Sequence, residues 1–174
     1  LKNKENIRAN VYLSSNTPLT LCAEYESGKL AMGECVIPND EEKVQELFYI
    51  ETATCNPSML KAIEKADIIV LGPGSLYTSV GAVLAVNQIK AAIKKSNAKI
   101  VYVCNIMTQV GETSNYHVSD HETTLNEMLP RNIDRIIVNT GEVDEKYLDL
   151  YKLNKYGWGR VRCEFKKDNY EFYV

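Results

Sequence analysis

The sequence predicts an α/β protein: a doubly wound, mostly parallel sheet with a β-rich N-terminal segment. Apolar runs at residues 67–71, 99–104 and 135–139 alternate with amphipathic helical stretches, which is the β-α-β-α-β order of a mononucleotide-binding unit. Each run ends in a small, polar segment, as at the ligand-binding edge of a Rossmann-like sheet. Upstream of residue 56 the pattern is instead that of β-hairpins.

The N-terminal part, about residues 1–55, is predicted to contain three strands. Runs at residues 19–25 and 30–37 flank Glu26-Ser27-Gly28-Lys29, which has the composition of a hairpin turn. Pro38 ends the second run, and residues 47–50 are the third candidate strand.

The mononucleotide-binding unit, about residues 56–141, is predicted to contain three helices. Asn56 followed by Pro57 is typical of a helix start. A helix over residues 79–95 would place Val83, Val86, Ile89 and Ile93 on one face. Ser119-Asp120-His121-Glu122 has the pattern of a capping box at the start of the third helix.

The C-terminal part, residues 142–174, is predicted to be peripheral to the unit. A helix over residues 143–151 and edge strands over 161–165 and 170–174 are the expected elements. With 174 residues, the chain is long enough for a single domain with its own core.

Composition narrows the function classes. The net charge of -3 argues against binding to nucleic acid, and no apolar run approaches the ~20 residues of a membrane-spanning helix. The five cysteines are scattered and form no CxxC pair, so we expect reduced thiols in a cytoplasmic protein. A homo-oligomer stays open as an alternative.

The segment Gly72-Pro73-Gly74-Ser75 is the first candidate site, because it joins a strand to a helix. It is not a Walker loop, since no lysine follows, and Tyr77 stands where a dinucleotide fingerprint needs glycine. Two readings remain: a tight turn, or a cradle of backbone amides for an anion. The hydroxyl groups of Ser75, Tyr77, Thr78 and Ser79 favour the cradle.

Residues 105–113, after the next strand, form the second candidate site. Asn105, Thr108 and Gln109 are uncharged donors and acceptors that suit a sugar, a base edge or a phosphate oxygen. Glu112 is the one carboxylate, which could take a ribose diol, a metal ion or a proton, or be a solvated loop charge. Gly111 is expected to serve the turn.

The two histidines give no clear metal site. His117 and His121 are four residues apart, but no third ligand has suitable spacing, so we expect none. We interpret His117 as a loop residue. His121 belongs to the predicted capping box and could reach the site from the first turn of its helix.

Long motifs give this chain a family resemblance. G-P-G-S-L-Y-T-S at 72–79, N-I-M-T-Q-V-G-E-T at 105–113, Tyr116, and Ser119-Asp120-His121 strongly resemble the gluconeogenesis-factor family of the CofD-like, 2-phospho-L-lactate transferase superfamily. Agreement extends from about residue 18 to 139. Val110 replaces a usual proline, and residues 80–87 lack a usual proline and asparagine. The usual N-terminal G-G-G-T-G loop is absent, so we expect Leu1 to lie within a longer protein.

The resemblance implies two alternative functions. The first is a cytoplasmic regulatory protein that binds UDP-sugars and is needed for growth on gluconeogenic carbon sources and for normal cell shape. The second is a transferase that moves a phospholactyl group from a nucleotide donor to a deazaflavin, with Mg²⁺. Motif content favours the first.

The expected ligand is a UDP-sugar or another nucleotide-linked small molecule, with no cofactor assigned beyond Mg²⁺ in the transferase case. Catalytic residues are unknown, with Glu112 and His121 as candidates. The expected ligand-binding residues are Gly72, Pro73, Gly74, Ser75, Tyr77, Thr78, Ser79, Asn105, Thr108, Gln109, Glu112 and Thr113.

Overall fold

A computed structural model describes residues 9–39, 41–141, 144, 146–147, 159–163 and 169–173. It has a three-stranded antiparallel sheet and a four-stranded parallel sheet with helices between its strands. The predicted α/β class with a β-rich N-terminal segment is therefore confirmed.

The antiparallel sheet comes from the N-terminal part of the chain, and its order is β2-β1-β3. The second strand ends earlier than the predicted residue 37, because Gly33 has φ of 99° and turns the chain. The Val36 amide donates to the Gly33 carbonyl at 2.9 Å, which closes that turn. The strands are β1 (Leu21–Tyr25), β2 (Leu30–Met32) and β3 (Val44–Tyr49).

The parallel sheet has the order β4-β5-β6-β7. The three strands predicted over residues 67–71, 99–104 and 135–139 are present, and each end lies within one residue of the prediction. Tyr170–Tyr173, predicted as an edge strand, pairs in parallel with the third of them. The strands are β4 (Ile68–Leu71), β5 (Lys99–Val103), β6 (Arg135–Asn139) and β7 (Tyr170–Tyr173).

Helix α1 (Pro57–Glu64) begins where the sequence predicts. The side chain of Asn56 accepts a hydrogen bond from the Ser58 amide at 2.8 Å, and proline occupies the first helical turn. The helix packs against the helix that precedes β5.

The continuous helix predicted over residues 79–95 is wrong. A π-helix (Leu76–Gly81) leads into α2 (Ala82–Leu84), and α3 (Asn87–Lys95) follows after a break. Leu84 and Val86 are both 1% exposed, and two residues apart they would lie on opposite faces of a straight helix. The extended backbone of Val86 (φ -76°, ψ 109°) lets both side chains enter the core. Val83, predicted on the buried face, is 44% exposed.

Helix α4 (Val118–Met128) begins before the predicted capping box at 119–122. His117 is its N-cap, and its amide donates to Oδ2 of Asp120 at 2.7 Å. Val118 is 1% exposed, so its burial places the first helical turn ahead of Ser119. The Asp120 carboxylate of the predicted capping box does cap the helix, but the N-cap residue is His117 and not Ser119.

The two sheets share one cluster of buried apolar side chains, which includes Ala23 and Leu47 of the antiparallel sheet and Ile100 and Ile136 of the parallel sheet. The π-helix contributes Leu76 and Tyr77 to this cluster. Tyr49 of β3 donates its hydroxyl hydrogen bond to the Ala82 carbonyl at 2.8 Å.

The C-terminal predictions are tested only in part. Residues 143, 145, 148–151 and 164–165 lie outside the described residues, so the predicted helix over 143–151 and part of the predicted strand over 161–165 stay untested. Arg160 and Arg162 form isolated bridges to Met107 and His117 rather than a strand.

None of the described helices is by itself long and apolar enough to cross a membrane. The consecutive segments Leu76–Leu84 and Asn87–Lys95 reach the length and apolar composition of a membrane span only when taken together, and the angle between them is 67°.

Candidate functional site

The two polar loops lie side by side at the carboxyl edge of the parallel sheet. Residues 72–75, the glycine loop, follow β4, and residues 105–113, the second loop, begin just after β5. Because β4 and β5 are paired in parallel, with Leu71 opposite Tyr102, both loops leave the sheet at the same edge.

Side chains of the second loop hold the glycine loop in place. The amide group of Asn105 donates to the Gly74 carbonyl at 2.7 Å, and its Oδ1 lies 3.4 Å from the Gly74 amide nitrogen. Ser75 donates its hydroxyl hydrogen bond to Oε1 of Gln109 at 2.8 Å. Asn105, Gln109 and Ser75 are half-buried, so part of each side chain still reaches solvent.

Glu112 fills an anion cradle with its own carboxylate. Its Oε2 accepts hydrogen bonds from the backbone amides of Tyr77 at 2.9 Å and Thr78 at 3.4 Å. Its Oε1 accepts from the Thr78 hydroxyl at 2.6 Å and from Nε2 of Gln109 at 3.3 Å. Glu112 is 6% exposed, so it is not a solvated loop charge. The amides at the start of the π-helix are therefore satisfied within the chain.

Gly72 and Gly74 have no conformational or steric need to be glycine. Neither has a positive φ. A Cβ atom at Gly72 would have no neighbour within 4 Å, and one at Gly74 would meet Cβ of Ser79 at 3.4 Å, an ordinary contact. Glycine at these positions leaves the backbone open to close approach from outside.

Gly111 is required by the fold, unlike Gly72 and Gly74. Its φ is 81°, and a Cβ atom there would lie 2.8 Å from the carbonyl carbon of Pro38. The Asn39 amide donates to the Gly111 carbonyl at 2.7 Å. The second loop thus packs directly against the chain that follows β2.

Three more predicted site residues are buried. Thr113 is 1% exposed, and its hydroxyl accepts from the Gln109 amide at 2.8 Å. Thr108 is 2% exposed and exchanges hydrogen bonds with Gly159. Tyr77 is 2% exposed, its hydroxyl lies 3.1 Å from that of Tyr116, and burial raises its pKa. Pro73 and Ser79, by contrast, are exposed.

His121 lies inside the protein, behind the second loop. It is 0% exposed, and its ring packs edge-on against Tyr116 and is stacked near Tyr102. Its Nδ1 lies 2.9 Å from the His117 carbonyl oxygen, and its buried Nε2 has no hydrogen-bond partner. Burial lowers the pKa of His121, which favours the neutral imidazole. Among the described residues, no three His, Cys, Asp or Glu side chains are grouped to hold a metal ion.

None of the five cysteines, all of which are described, forms a disulfide, and Cys104 lies just before the second loop. Burial raises the pKa of Cys104 to about 12, so the thiol stays protonated at neutral pH. We therefore interpret Cys104 as a core residue, not as a nucleophile.

Arg160 is a positively charged residue at this edge of the sheet that the sequence patterns did not predict. Its Nη2 donates to the carbonyls of Thr140 at 3.0 Å and Gly141 at 2.7 Å, next to the end of β6. The chain next to Arg160 runs alongside the second loop, since the Val161 amide donates to the Ile106 carbonyl at 3.0 Å. No local motif marks Arg160, because tertiary pairing alone brings it to the site.

The geometry defines the class of protein. It is an α/β protein whose two polar loops meet at the edge where doubly wound sheets bind their ligands. The chain belongs to the CofD family, because the family model described as 2-phospho-L-lactate transferase CofD matches residues 1–171. The family resemblance predicted from the motifs is thereby confirmed.

Relatives in this family are named as gluconeogenesis factors. The chain is 43% identical over 146 residues to a protein of Thermotoga maritima named "Putative gluconeogenesis factor", covering 84% of this chain and 46% of that protein. It is 37% identical over 150 residues to the "Gluconeogenesis factor" of Bacillus subtilis, covering 85% and 47%. The chain thus spans about half the length of the curated relatives it matches.

A solved structure has the same fold. The crystal structure of a UPF0052-family protein from Bacillus halodurans matches with a TM-score of 0.83 at 37% identity, covering 91% of this chain and 51% of that one. The mixed α/β architecture is therefore shared with an experimentally determined structure.

Proposed function

We propose that the protein is a gluconeogenesis factor that binds a UDP-sugar at the glycine loop. The observation that carries this proposal is the pair Gly72 and Gly74, which are glycine although the fold would accept a side chain at either position. A ligand that approaches the backbone closely, such as a diphosphate, gives glycine a reason to be there.

The ligand groups can be assigned to the exposed parts of the loops. The diphosphate lies against the backbone of Gly72 and Gly74 and the hydroxyl of Ser75. Asn105 and Gln109, which are half-buried and held by Gly74 and Ser75, face hydroxyl groups of the ribose. Arg160, also half-buried, contributes positive charge at the same sheet edge.

The role that follows is regulatory and cytoplasmic. Binding of a UDP-sugar would report carbon supply, and the protein would support growth on gluconeogenic carbon sources and normal cell shape. The names of the relatives support the metabolic part of this proposal. The buried positions of Glu112 and His121 favour binding over catalysis by these two groups.

A transferase is the alternative, favoured by the description of the matching family. In that case a phospholactyl group would move from a nucleotide donor to a deazaflavin, with Mg²⁺ as cofactor. The two functions differ in whether binding depends on magnesium and in whether product forms.

Calorimetric titration of UDP-N-acetylglucosamine, with and without Mg²⁺, tests the proposal. The same titration on the Bacillus subtilis relative covers the half of its length that this chain does not match. We expect magnesium-independent binding without product for both proteins. Lack of binding by both, or product release that requires Mg²⁺, would contradict it.

A further inference from the structure

A second open cleft lies beside the π-helix, between that helix and the antiparallel sheet. Its volume is about 430 Å³, enough for a hexose unit. Its lining is formed by residues 13–15, 17 and 19–21, by Gly33, Glu34 and Tyr49, and by Thr78 and Ala82 of the helical segment.

The cleft is lined by hydroxyl groups and has one charged residue. Side-chain hydroxyls come from Ser14, Ser15, Thr17, Thr20 and Thr78, and those of Thr20 and Thr78 already donate to Glu51 and Glu112. Among the described lining residues, Glu34 is the only one with a charged side chain. The described part of the lining has no lysine or arginine that could pair with a phosphate. Hydroxyl groups, a carboxylate acceptor and an aromatic ring do suit a neutral compound with many hydroxyls.

Tyr49 is held in a fixed orientation at the cleft wall. Its hydroxyl donates to the Ala82 carbonyl at 2.8 Å, which anchors one end of the ring. The ring is half-buried, and burial, together with the negative charge of Glu34, raises the pKa of Tyr49. Tyr49 and Glu34 both line this cleft, which therefore offers an aromatic ring and a hydrogen-bond acceptor.

Thr78 connects the cleft to the strand-end loops. Its hydroxyl donates to Oε1 of Glu112 in the second loop at 2.6 Å, while the same residue lines the cleft. Ser75, the N-cap of the π-helix, is only three residues away and belongs to the glycine loop. Ser79, the residue after Thr78, lies against the glycine loop, since a Cβ atom at Gly74 would meet Cβ of Ser79 at 3.4 Å. The glycine loop and the cleft therefore adjoin the same helical segment.

We propose that this cleft is the sugar subsite, in which Glu34 accepts hydrogen bonds from sugar hydroxyls and the Tyr49 ring supports the sugar. The inference rests on the proposed function, because it assigns the second part of the same nucleotide-sugar ligand. It leaves Asn105 and Gln109 to the ribose. No predicted ligand-binding residue except Thr78 lines the cleft.

Comparing UDP with UDP-N-acetylglucosamine tests the subsite, because only the second ligand carries a sugar. We expect Glu34→Gln to weaken binding of UDP-N-acetylglucosamine about tenfold and to leave UDP affinity unchanged, as for loss of a charged hydrogen-bond acceptor. Glu46→Gln is the matched control, since Glu46 is exposed on β3 outside the cleft and should change neither affinity.

A steric variant gives an independent readout. Thr17 is exposed and lines the cleft, so Thr17→Trp should fill it and weaken the sugar ligand alone. Thr123→Trp, on the exposed side of α4, is its control. Thermal unfolding of each variant separates loss of binding from loss of fold.

The outcomes distinguish the two proposals. Binding of neither ligand by the wild-type chain and by the Bacillus subtilis relative would overturn the proposed function and the subsite together. If the wild type binds both ligands, equal losses of UDP and UDP-N-acetylglucosamine affinity in the cleft variants, or no loss, would overturn the subsite alone.

Discussion

The glycine loop and the second loop look alike in sequence and differ in the structure. Both follow a parallel strand and are rich in glycine, hydroxyl and amide groups. The glycine loop is open, and a side chain at Gly72 would meet nothing within 4 Å. The second loop is packed, with Gly111 against Pro38 and with Glu112 only 6% exposed.

The difference indicates that the second loop is a structural support, the scaffold, and that the glycine loop is an exposed surface. Glu112 uses its carboxylate to satisfy backbone amides that would otherwise attract a ligand's anion. This contact fixes the start of the π-helix, and Asn105 and Gln109 fix the glycine loop. The second loop therefore positions the glycine loop, which stays partly exposed to solvent.

Substituting the glycines gives the largest expected contrast between the loops. Gly111→Ala should lower the free energy of unfolding by about 3 kcal/mol, because it adds backbone strain and a clash with Pro38. Gly72→Ala should change it by less than about 1 kcal/mol. Urea denaturation of both variants measures this. Equal losses would remove the distinction between scaffold and surface.

Removing the charge of Glu112 should have the next largest effect. Glu112→Gln replaces one acceptor oxygen with an NH2 donor, and both oxygens of Glu112 accept from donors of the π-helix or of Gln109. We therefore expect a loss of about 2 kcal/mol in the free energy of unfolding. Glu127→Gln, at an exposed position of α4, should cost less than about 0.5 kcal/mol. A Glu112→Gln variant as stable as the wild type would show that the carboxylate is not a scaffold element.

A pH series extends the comparison to His121, behind the second loop. Burial lowers its folded-state pKa below the ordinary value of 6.5. The unfolded chain therefore binds a proton first as the pH falls, so stability is complete above about pH 6.5 and declines below it.

The measurement is urea denaturation between about pH 7 and about pH 5. His121→Phe should remove most of the decline in that range, and His117→Phe should retain it. An unchanged slope in His121→Phe would show that the buried imidazole does not couple folding to pH.

Much of the fold could be predicted from sequence periodicity. Strands such as Arg135–Asn139 are short apolar runs with clear ends, and Asn56-Pro57 marks a helix start by local chemistry. The break at Val86 could not be predicted this way, because it depends on burying both Leu84 and Val86. That requirement comes from tertiary packing.

The candidate site was less predictable than the fold. Composition located both loops but gave no sign that Glu112 turns inward or that Gly111 touches Pro38, residues far apart in the chain. Arg160 reaches the edge through pairing with Met107, which no local pattern shows. The hydroxyl-lined cleft depends in the same way on tertiary structure, because four separate segments of the chain line it.

The central claim is that residue 72 is glycine because a ligand approaches its backbone closely, and that the fold does not require glycine there. Gly72→Val tests it most directly, because the following Pro73 favours an extended backbone at position 72 and valine adopts that conformation readily. Calorimetry with UDP-N-acetylglucosamine and urea denaturation on the same variant form one measurement. We predict at least a tenfold loss of affinity, with the free energy of unfolding within about 1 kcal/mol of the wild type. Unchanged affinity, or a loss of stability as large as that of Gly111→Ala, would contradict the account.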